Sequence, residues 1–374
     1  MISPDNTVLP LCDLAPTYVR DIAPYQSGKP IDEVARELGI SYTDIVKLAS
    51  NENPLGFSPR VASVVNQHMG EISRYPDSDG FHLKRQLAEK LNVFSDQIVL
   101  GNGSNDILEL VASAFLSSTG SAVYSEHAFI VYHLATKASG AKGIVTPAKN
   151  FGHDLQAMIQ AIESDTRVIF IANPNNPTGT FLQREEIESF LNDVPASILV
   201  VLDEAYYEYL SKDEQLPSNS WINRFPNLLV CRTFSKAYGL AGLRIGYGIA
   251  HRKIVELLNR VRQPFNVGSI AQLSAVEALK DESFIEESVK LNVMGMQQIT
   301  STFQAKNIFF IPSKGNFVTF RVNNAVEIYD SLLKQGVIVR PVGGYGLKDF
   351  LRVSIGLQKE NKKFINTLLK TLQG

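Results

Sequence analysis

The chain has 374 residues, with 36 Lys and Arg against 38 Asp and Glu, a net charge of −2 and 44% apolar residues. That length allows one large α/β domain plus a smaller one. The near-neutral balance argues against a nucleic-acid binder, and no apolar run approaches the length of a membrane span. The opening stretch "MISPDNTVLPLCDLAP" lacks a cationic region followed by an apolar one, so no secretory leader is expected. Two cysteines, Cys12 and Cys231, stand far apart, which suits a reducing, cytoplasmic setting. The six histidines form no HxxxH or HExxH pair, which argues against a zinc site, and no metal is expected.

In chain order, residues 1–50 read as an irregular arm followed by a helix, "KPIDEVARELG", with Gly39 as its C-cap. "GFHLKRQLAEKLN" is helical by period, "DQIVL" is a short strand, and "NDILELVASAFL" puts Ile107, Leu108, Leu110, Val111, Ala114 and Phe115 on one helical face. The runs "SAVYS", "GIVTP", "RVIFIA", "SILVVLD", "NLLVCR" and "RIGYGIA" follow, separated by helical stretches. Several are almost wholly apolar, the pattern of strands buried on both faces, which predicts βαβ units and a mainly parallel sheet. After "HRKIVELLNRVR" Pro264 breaks the pattern, a helical stretch spans roughly 269–305, and strands are expected near "FFIPS", "NFVTFRV" and "LRVSIG". The expected division is an arm, 1–49, belonging to a small domain; a large domain, 50–262; and the rest of the small domain, 263–374.

Ligands of open parallel sheets gather beyond the carboxyl ends of the strands. Asp203 follows "ILVVL", "NPNNPTG" follows "VIFIA", Lys236 follows "LLVC" by a few residues, and "GNGSND" follows "IVL". An acid, amides, an amine and a glycine turn are thereby expected at one crevice. The turn at Gly103, Ser104 and Asn105 is either a plain helix cap or an anion site made of free backbone N–H groups. Asp203 is either a cap or a buried acid in need of a cation. Lys236, flanked by Ser235 and Ala237, is suited to a lowered pKa. Two Asn-Pro bonds in one loop make a cis peptide expected at Asn176–Pro177. Arg232 fits a structural ion pair as well as a ligand contact.

Together "LASNENPLG", "RYPD", "GNGSND", "NPNNPTG", "DEAYYEY", "RTFSKAYGLAGLRIGYG" and "LRVSIG" resemble the fold type I pyridoxal-phosphate-dependent aminotransferases and, among them, the histidinol-phosphate aminotransferase family. The resemblance runs from about residue 20 to the end of the chain. It implies a fold type I α/β transferase: a large domain with a mainly parallel sheet flanked by helices, plus a smaller α+β domain. It implies pyridoxal 5'-phosphate as cofactor, with Lys236 bonding to its aldehyde and shuttling a proton, and Asp203 pairing with its ring nitrogen. Tyr206 and Asn176 would bind the ring oxygen. Gly103, Ser104, Asn105, Ser235 and Arg244 would bind the phosphate. Phe129 in "SEHAFIVY" is the expected stacking ring and Tyr132 the second choice, since His127 and Ala128 stand where Pro and Thr are common. Tyr75 would reach a neighbouring subunit's phosphate site, which makes a homodimer with shared active sites the expected unit.

Arg340 and Arg352 fit the family's substrate-binding pair, because a guanidinium grips phosphate or carboxylate alike. Tyr25 would close over the substrate, with Arg20 nearby, and Glu52 and Asn53 lie on the loop lining the substrate side. The implied reaction converts L-histidinol phosphate and 2-oxoglutarate to imidazole acetol phosphate and L-glutamate in histidine biosynthesis. Arg352 would bind an α-carboxylate equally well, so an aromatic or broad-range amino-acid aminotransferase is the alternative, with a threonine-phosphate decarboxylase behind it. A non-catalytic cofactor-binding regulator would need a DNA-binding extension, and no basic helix-turn-helix precedes residue 50.

Overall fold

The computed structural model describes residues 10–24 and 28–373. Its centre is a seven-stranded sheet of β1 (Ile98–Gly101), β2 (Ser121–Ser125), β3 (Lys142–Thr146), β4 (Thr166–Ala172), β5 (Leu199–Asp203), β6 (Leu228–Thr233) and β7 (Gly246–Ala250). The spatial order is β1-β7-β6-β5-β4-β2-β3. Only β7 runs against its neighbours, antiparallel to both β1 and β6, and the other pairings are parallel.

The apolar runs form strands because both sheet faces are covered. Val200 and Leu202 of β5 join one core layer with Leu83, Leu87 and Val230, while Leu199 and Val201 join the other with Ile107, Val111 and Phe170. Alternate side chains thus enter different layers, and both must be apolar. The edge strand β3 differs: Lys142, Gly143 and Val145 are exposed, and among the described residues no strand pairs with its outer side. The helix Ser104–Phe115 buries Ile107, Leu108, Leu110 and Val111 as the period predicts, with Ala114 and Phe115 half-buried at the margin of the same layer. The helix Ile31–Leu38 ends on Gly39, which is left-handed at φ 64°.

A second sheet of four strands has the order Phe310–Ile311, Phe317–Arg321, Phe350–Ser354, Arg340–Pro341. The pair Val46–Lys47 lies parallel to Val337–Ile338, tying the segment before residue 50 to the C-terminal part of the chain. The single helical stretch expected at 269–305 is two helices, Ser269–Leu279 and Glu282–Ala305. The break falls at Asp281, whose carboxylate accepts from the N–H of Phe284 (3.2 Å) and caps the second helix. The first of the two packs its alanines, Ala271, Ala275 and Ala278, into the core beneath the large sheet. Among the described residues no helix is long and apolar enough to cross a membrane.

Candidate active site

The strand directions decide what meets. The parallel strands β1, β2, β4, β5 and β6 all point their carboxyl ends at one sheet edge, and the antiparallel β7 begins there. Asp203 therefore ends β5, Ser235 and Lys236 follow β6, Asn173–Asn176 follow β4, and Arg244 precedes β7 at the same edge. A cavity of about 200 Å³ opens there, lined by Ser104, Asn105, Phe129, Asn176, Asp203, Tyr206, Ser235, Lys236, Arg244, Arg340 and Arg352 among others.

One end of this cavity is built for an anion. The helix Ser104–Phe115 starts with Gly103 as its N-cap and has no side-chain cap, so its first N–H groups face outward. Gly103 is left-handed at φ 82°, and a Cβ there would collide with the guanidinium of Arg244. Glycine thereby lets the arginine lie against the helix N-terminus. Gly103 itself stands behind that guanidinium rather than on the cavity wall. Ser104, Asn105, Ser235 and Arg244 converge from three chain segments on this end.

The other end carries an acid and an amine. Asp203 is 4% exposed, and burial pushes its carboxyl up to about 6. Its Oδ2 accepts from the Tyr132 hydroxyl (2.9 Å) and its Oδ1 from the Ala205 N–H (3.2 Å). Both are neutral donors, and among the described residues no ion pair reaches this acid, which leaves a buried carboxylate suited to a cationic N–H. Lys236 donates to the backbone oxygen of Ser50 (3.2 Å), and burial, then Arg352, lower its amine to about 8. Tyr206 is almost fully buried; burial raises its phenol to about 12, and its oxygen accepts from Asn51 Nδ2 (2.9 Å).

Arg352 and Arg340 stand directly opposite each other on adjacent antiparallel strands, so both side chains lie on one face and both line the cavity. Arg352 also donates to Asn176 Oδ1 (2.5 Å) and to the backbone oxygen of Ala49 (2.7 Å). With that oxygen engaged, the amide nitrogen is the end of Asn176 that can serve a ligand. Both Asn173–Pro174 and Asn176–Pro177 are cis, where one such bond is expected from the sequence.

Several expected residues lie elsewhere. Tyr132 is fully buried behind Asp203, stacked on Phe170 at 4.8 Å and 7°, while Phe129 lines the cavity. Asn53 does not line it: its amide donates to the Ala237 oxygen and to Ser288 Oγ (2.8 Å each) and so holds the loop beside Lys236. Asn51, left-handed at φ 55°, lines the cavity instead. Tyr75 is 83% exposed and stacks on Phe265 at 4.7 Å, away from this chain's cavity. Glu52 is exposed and paired with Lys47 (3.0 Å), and Arg20 is exposed near Asp13 (3.6 Å). Tyr25 lies outside the described residues. Arg232 forms a buried ion pair with Glu204 (2.9 Å) beneath the ring of Tyr207 and takes no part in the cavity.

Sequence reasoning missed a network that joins the second sheet through Asn51 to Tyr206, just beyond β5. Ser354 Oγ donates to Asn51 Oδ1 (2.9 Å) and accepts from the Asn51 N–H (2.8 Å), and Asn316 Nδ2 donates to the Asn51 oxygen (3.1 Å). The only signal for it was that Asn51 and Ser354 both fall inside motif stretches.

The chain matches the family model "Aminotransferase class I and II" over residues 43–368. It is 55% identical over 368 residues to histidinol-phosphate aminotransferase 2 of Nitrosospira multiformis, covering 97% of this chain and 94% of that one. It is 55% identical over 362 residues to histidinol-phosphate aminotransferase 1 of Dechloromonas aromatica, covering 97% and 99%. The crystal structure of histidinol-phosphate aminotransferase from Sinorhizobium meliloti in complex with pyridoxal-5'-phosphate superposes with a TM-score of 0.88 at 26% identity, covering 95% of this chain and 96% of that one. With this fold, this cavity and these relatives, the chain belongs to the class I and II aminotransferases, within the histidinol-phosphate aminotransferase family.

Proposed function

We propose that this chain is a pyridoxal 5'-phosphate-dependent transaminase converting L-histidinol phosphate and 2-oxoglutarate to imidazole acetol phosphate and L-glutamate, a step of L-histidine biosynthesis. The carrying observation is one cavity that joins a buried acid, Asp203, an amine lowered to about 8, Lys236, and two opposed arginines, Arg340 and Arg352. The names and full-length similarity of the relatives support the choice of substrate.

The residues fit the cofactor. An uncapped helix N-terminus with Ser104, Asn105, Ser235 and Arg244 suits a phosphate, and a buried carboxylate served by neutral donors suits a ring N–H carrying positive charge. When bound, the cofactor supplies an electrophilic carbonyl carbon and a cationic ring that takes up the electron pair released at the substrate Cα. Lys236 Nζ would hold the group through that carbon and, once the substrate's amine has displaced it, would be free as the base that takes and returns the Cα proton. Asp203 would hold the proton on the ring nitrogen, Tyr206 and Asn176 would orient the ring through its oxygen, and Phe129 would cover a ring face. Arg340 and Arg352 bind the phosphate of one substrate and the carboxylates of the other in turn. Asn53 supports this site by holding its loop to Ala237.

The working unit is proposed to be a cytoplasmic homodimer in which Tyr75 completes the neighbouring subunit's phosphate site, supported by the exposure of that ring. Mixing Tyr75→Ala and Lys236→Ala chains is expected to restore part of the activity; no recovery counts against shared sites. The proposed division is an arm with a large and a small domain, and the packing of Ser269–Leu279 under the large sheet favours a large-domain share reaching past residue 262.

The test of the substrate uses the cofactor-loaded protein without a keto acid. Histidinol phosphate is expected to convert the visible absorption band faster than phenylalanine does. A faster reaction with phenylalanine overturns the substrate in favour of an aromatic amino-acid aminotransferase. A Lys236→Ala chain that keeps both the band and turnover overturns the role of the lysine.

A further inference from the structure

We propose that Tyr132 is a positioning residue for the cofactor-binding acid: its hydroxyl fixes Asp203 in the ionised form and in one orientation, so that the carboxylate can hold a protonated ring nitrogen. This rests on the function proposed above.

The placement comes from two elements. Tyr132 belongs to the helix Ile130–Ala138, and Phe170 to β4, the strand beside the one that ends in Asp203. The two rings stack nearly parallel, 4.8 Å apart and at 7°, and neither is exposed. The phenol is thereby clamped with its oxygen 2.9 Å from Asp203 Oδ2. A carboxylate only accepts hydrogen bonds, so the hydroxyl proton points at Asp203. Burial and the neighbouring acid raise the phenol well above its ordinary range, which keeps that proton on the tyrosine.

A carboxyl group turns easily about its last side-chain bond, whose torsional wells are broad. Here the hydroxyl takes one oxygen and the Ala205 N–H takes the other, at 3.2 Å. Rotation is blocked, and the lone pairs not engaged by these donors are available to the cavity that Asp203 lines. The hydroxyl also stabilises the charged form against the burial that favours the neutral one. Loss of this bond would leave an acid inclined to keep its own proton, and a protonated acid is a poor partner for a ring N–H bearing positive charge.

Tyr132→Phe removes one oxygen and keeps the stacked ring. Titrating the cofactor-free chain with pyridoxal 5'-phosphate is expected to show affinity about 10–100-fold weaker, the range for a hydrogen bond to a charged group. With cofactor labelled at the ring nitrogen, ¹⁵N NMR is expected to show that nitrogen losing its proton at lower pH than in the unaltered protein. The kcat is expected to fall while the KM for the amino donor stays within about twofold, as for an interaction that does not touch the substrate. Unchanged affinity and an unchanged ¹⁵N titration overturn the proposal.

Asp203→Asn separates this failure from failure of the site assignment. If Asp203→Asn weakens cofactor binding and Tyr132→Phe does not, only the role of Tyr132 falls. If neither has an effect, the site assignment falls with it. Should Tyr132→Phe not fold, Phe170→Leu removes the clamp and keeps the hydroxyl. A several-fold loss of cofactor affinity is then expected, and unaltered affinity overturns the proposal.

Discussion

His127 Nδ1 lies 2.7 Å from the backbone oxygen of Tyr345, joining the loop after β2 to the turn that follows Arg340. A carbonyl only accepts, so Nδ1 carries the proton and the tautomer is set. The carbonyl of His127 in turn accepts from Asn175 Nδ2 (2.9 Å), so this residue ties together the Asn-Pro loop and the turn of Tyr345 on the cavity wall. His127→Ala is expected to cost about 1 kcal/mol of stability, the net worth of one such bond. It is also expected to raise the KM for both histidinol phosphate and 2-oxoglutarate several-fold while cofactor affinity holds. Thermal unfolding and steady-state kinetics on the same preparations check this, and a loss confined to the cofactor would contradict it.

Arg232 and Glu204 make a buried ion pair with exposures of 3% and 1%, and Ser218 donates to the same carboxylate (2.8 Å). Removing one partner strands the other charge in the core. Arg232→Ala is therefore expected to destabilise the chain by about 3–5 kcal/mol. The double change Arg232→Met with Glu204→Leu removes both charges and is expected to lose much less. Denaturant unfolding of the three chains decides, with equal losses in the single and double variants speaking against the ion-pair account.

Lys236 offers a pH test with a definite sign. Its amine is lowered to about 8 in the folded chain, against an ordinary 10.5, because burial and Arg352 disfavour the cation. The neutral amine needed to bond the cofactor therefore accumulates above about pH 8. The rate at which the cofactor-free chain takes up pyridoxal 5'-phosphate is expected to rise with an inflection near that value. Between about 8 and 10.5 the unfolded chain holds the proton that the folded chain has released, so stability rises with pH across this window. Lys236→Met should flatten that rise. Arg352→Gln, by removing one repelling cation, should move the uptake inflection upward.

The opposed arginines are expected to differ in what their loss costs. Arg340→Gln deletes a cation from the cavity wall, and the KM for histidinol phosphate should rise about 10–100-fold, the scale of a charge-assisted bond. Arg352→Gln should do this and also lower kcat, since Arg352 holds Asn176 and the Ala49 carbonyl as well. Kinetics at two salt concentrations check the assignment: the unaltered protein should lose affinity with added salt more steeply than either variant.

The strand ends were legible because uninterrupted apolar runs mark doubly covered strands and the residues after them mark one sheet edge. Asp203, Asn176, Ser104 and Lys236 could be placed from that rule alone. The reversed β7, which brings Arg244 to the same edge at its beginning, was not legible, since an apolar run carries no direction. Tyr132 and Phe129 lie three residues apart in one motif, and no local pattern tells which faces the cavity and which passes behind β5. The Asn51–Ser354 contact joins positions 303 residues apart, beyond the reach of any periodicity. The partner of Arg232 proved to be Glu204, which stands next to Asp203 in sequence, just past the end of β5, and no local pattern singles it out.

The glycine at 103 and the arginine at 244 occupy what is in effect a single space. A methyl group at 103 displaces the guanidinium and strains a backbone held at φ 82°, whereas a shorter side chain at 244 forfeits an anion donor and relieves only the first of these. Substitutions here should be strongly epistatic. Gly103→Ala should be less damaging in an Arg244→Ala background than in the unaltered chain, so random drift or a combinatorial library has to cross a double loss before reaching any alternative pairing.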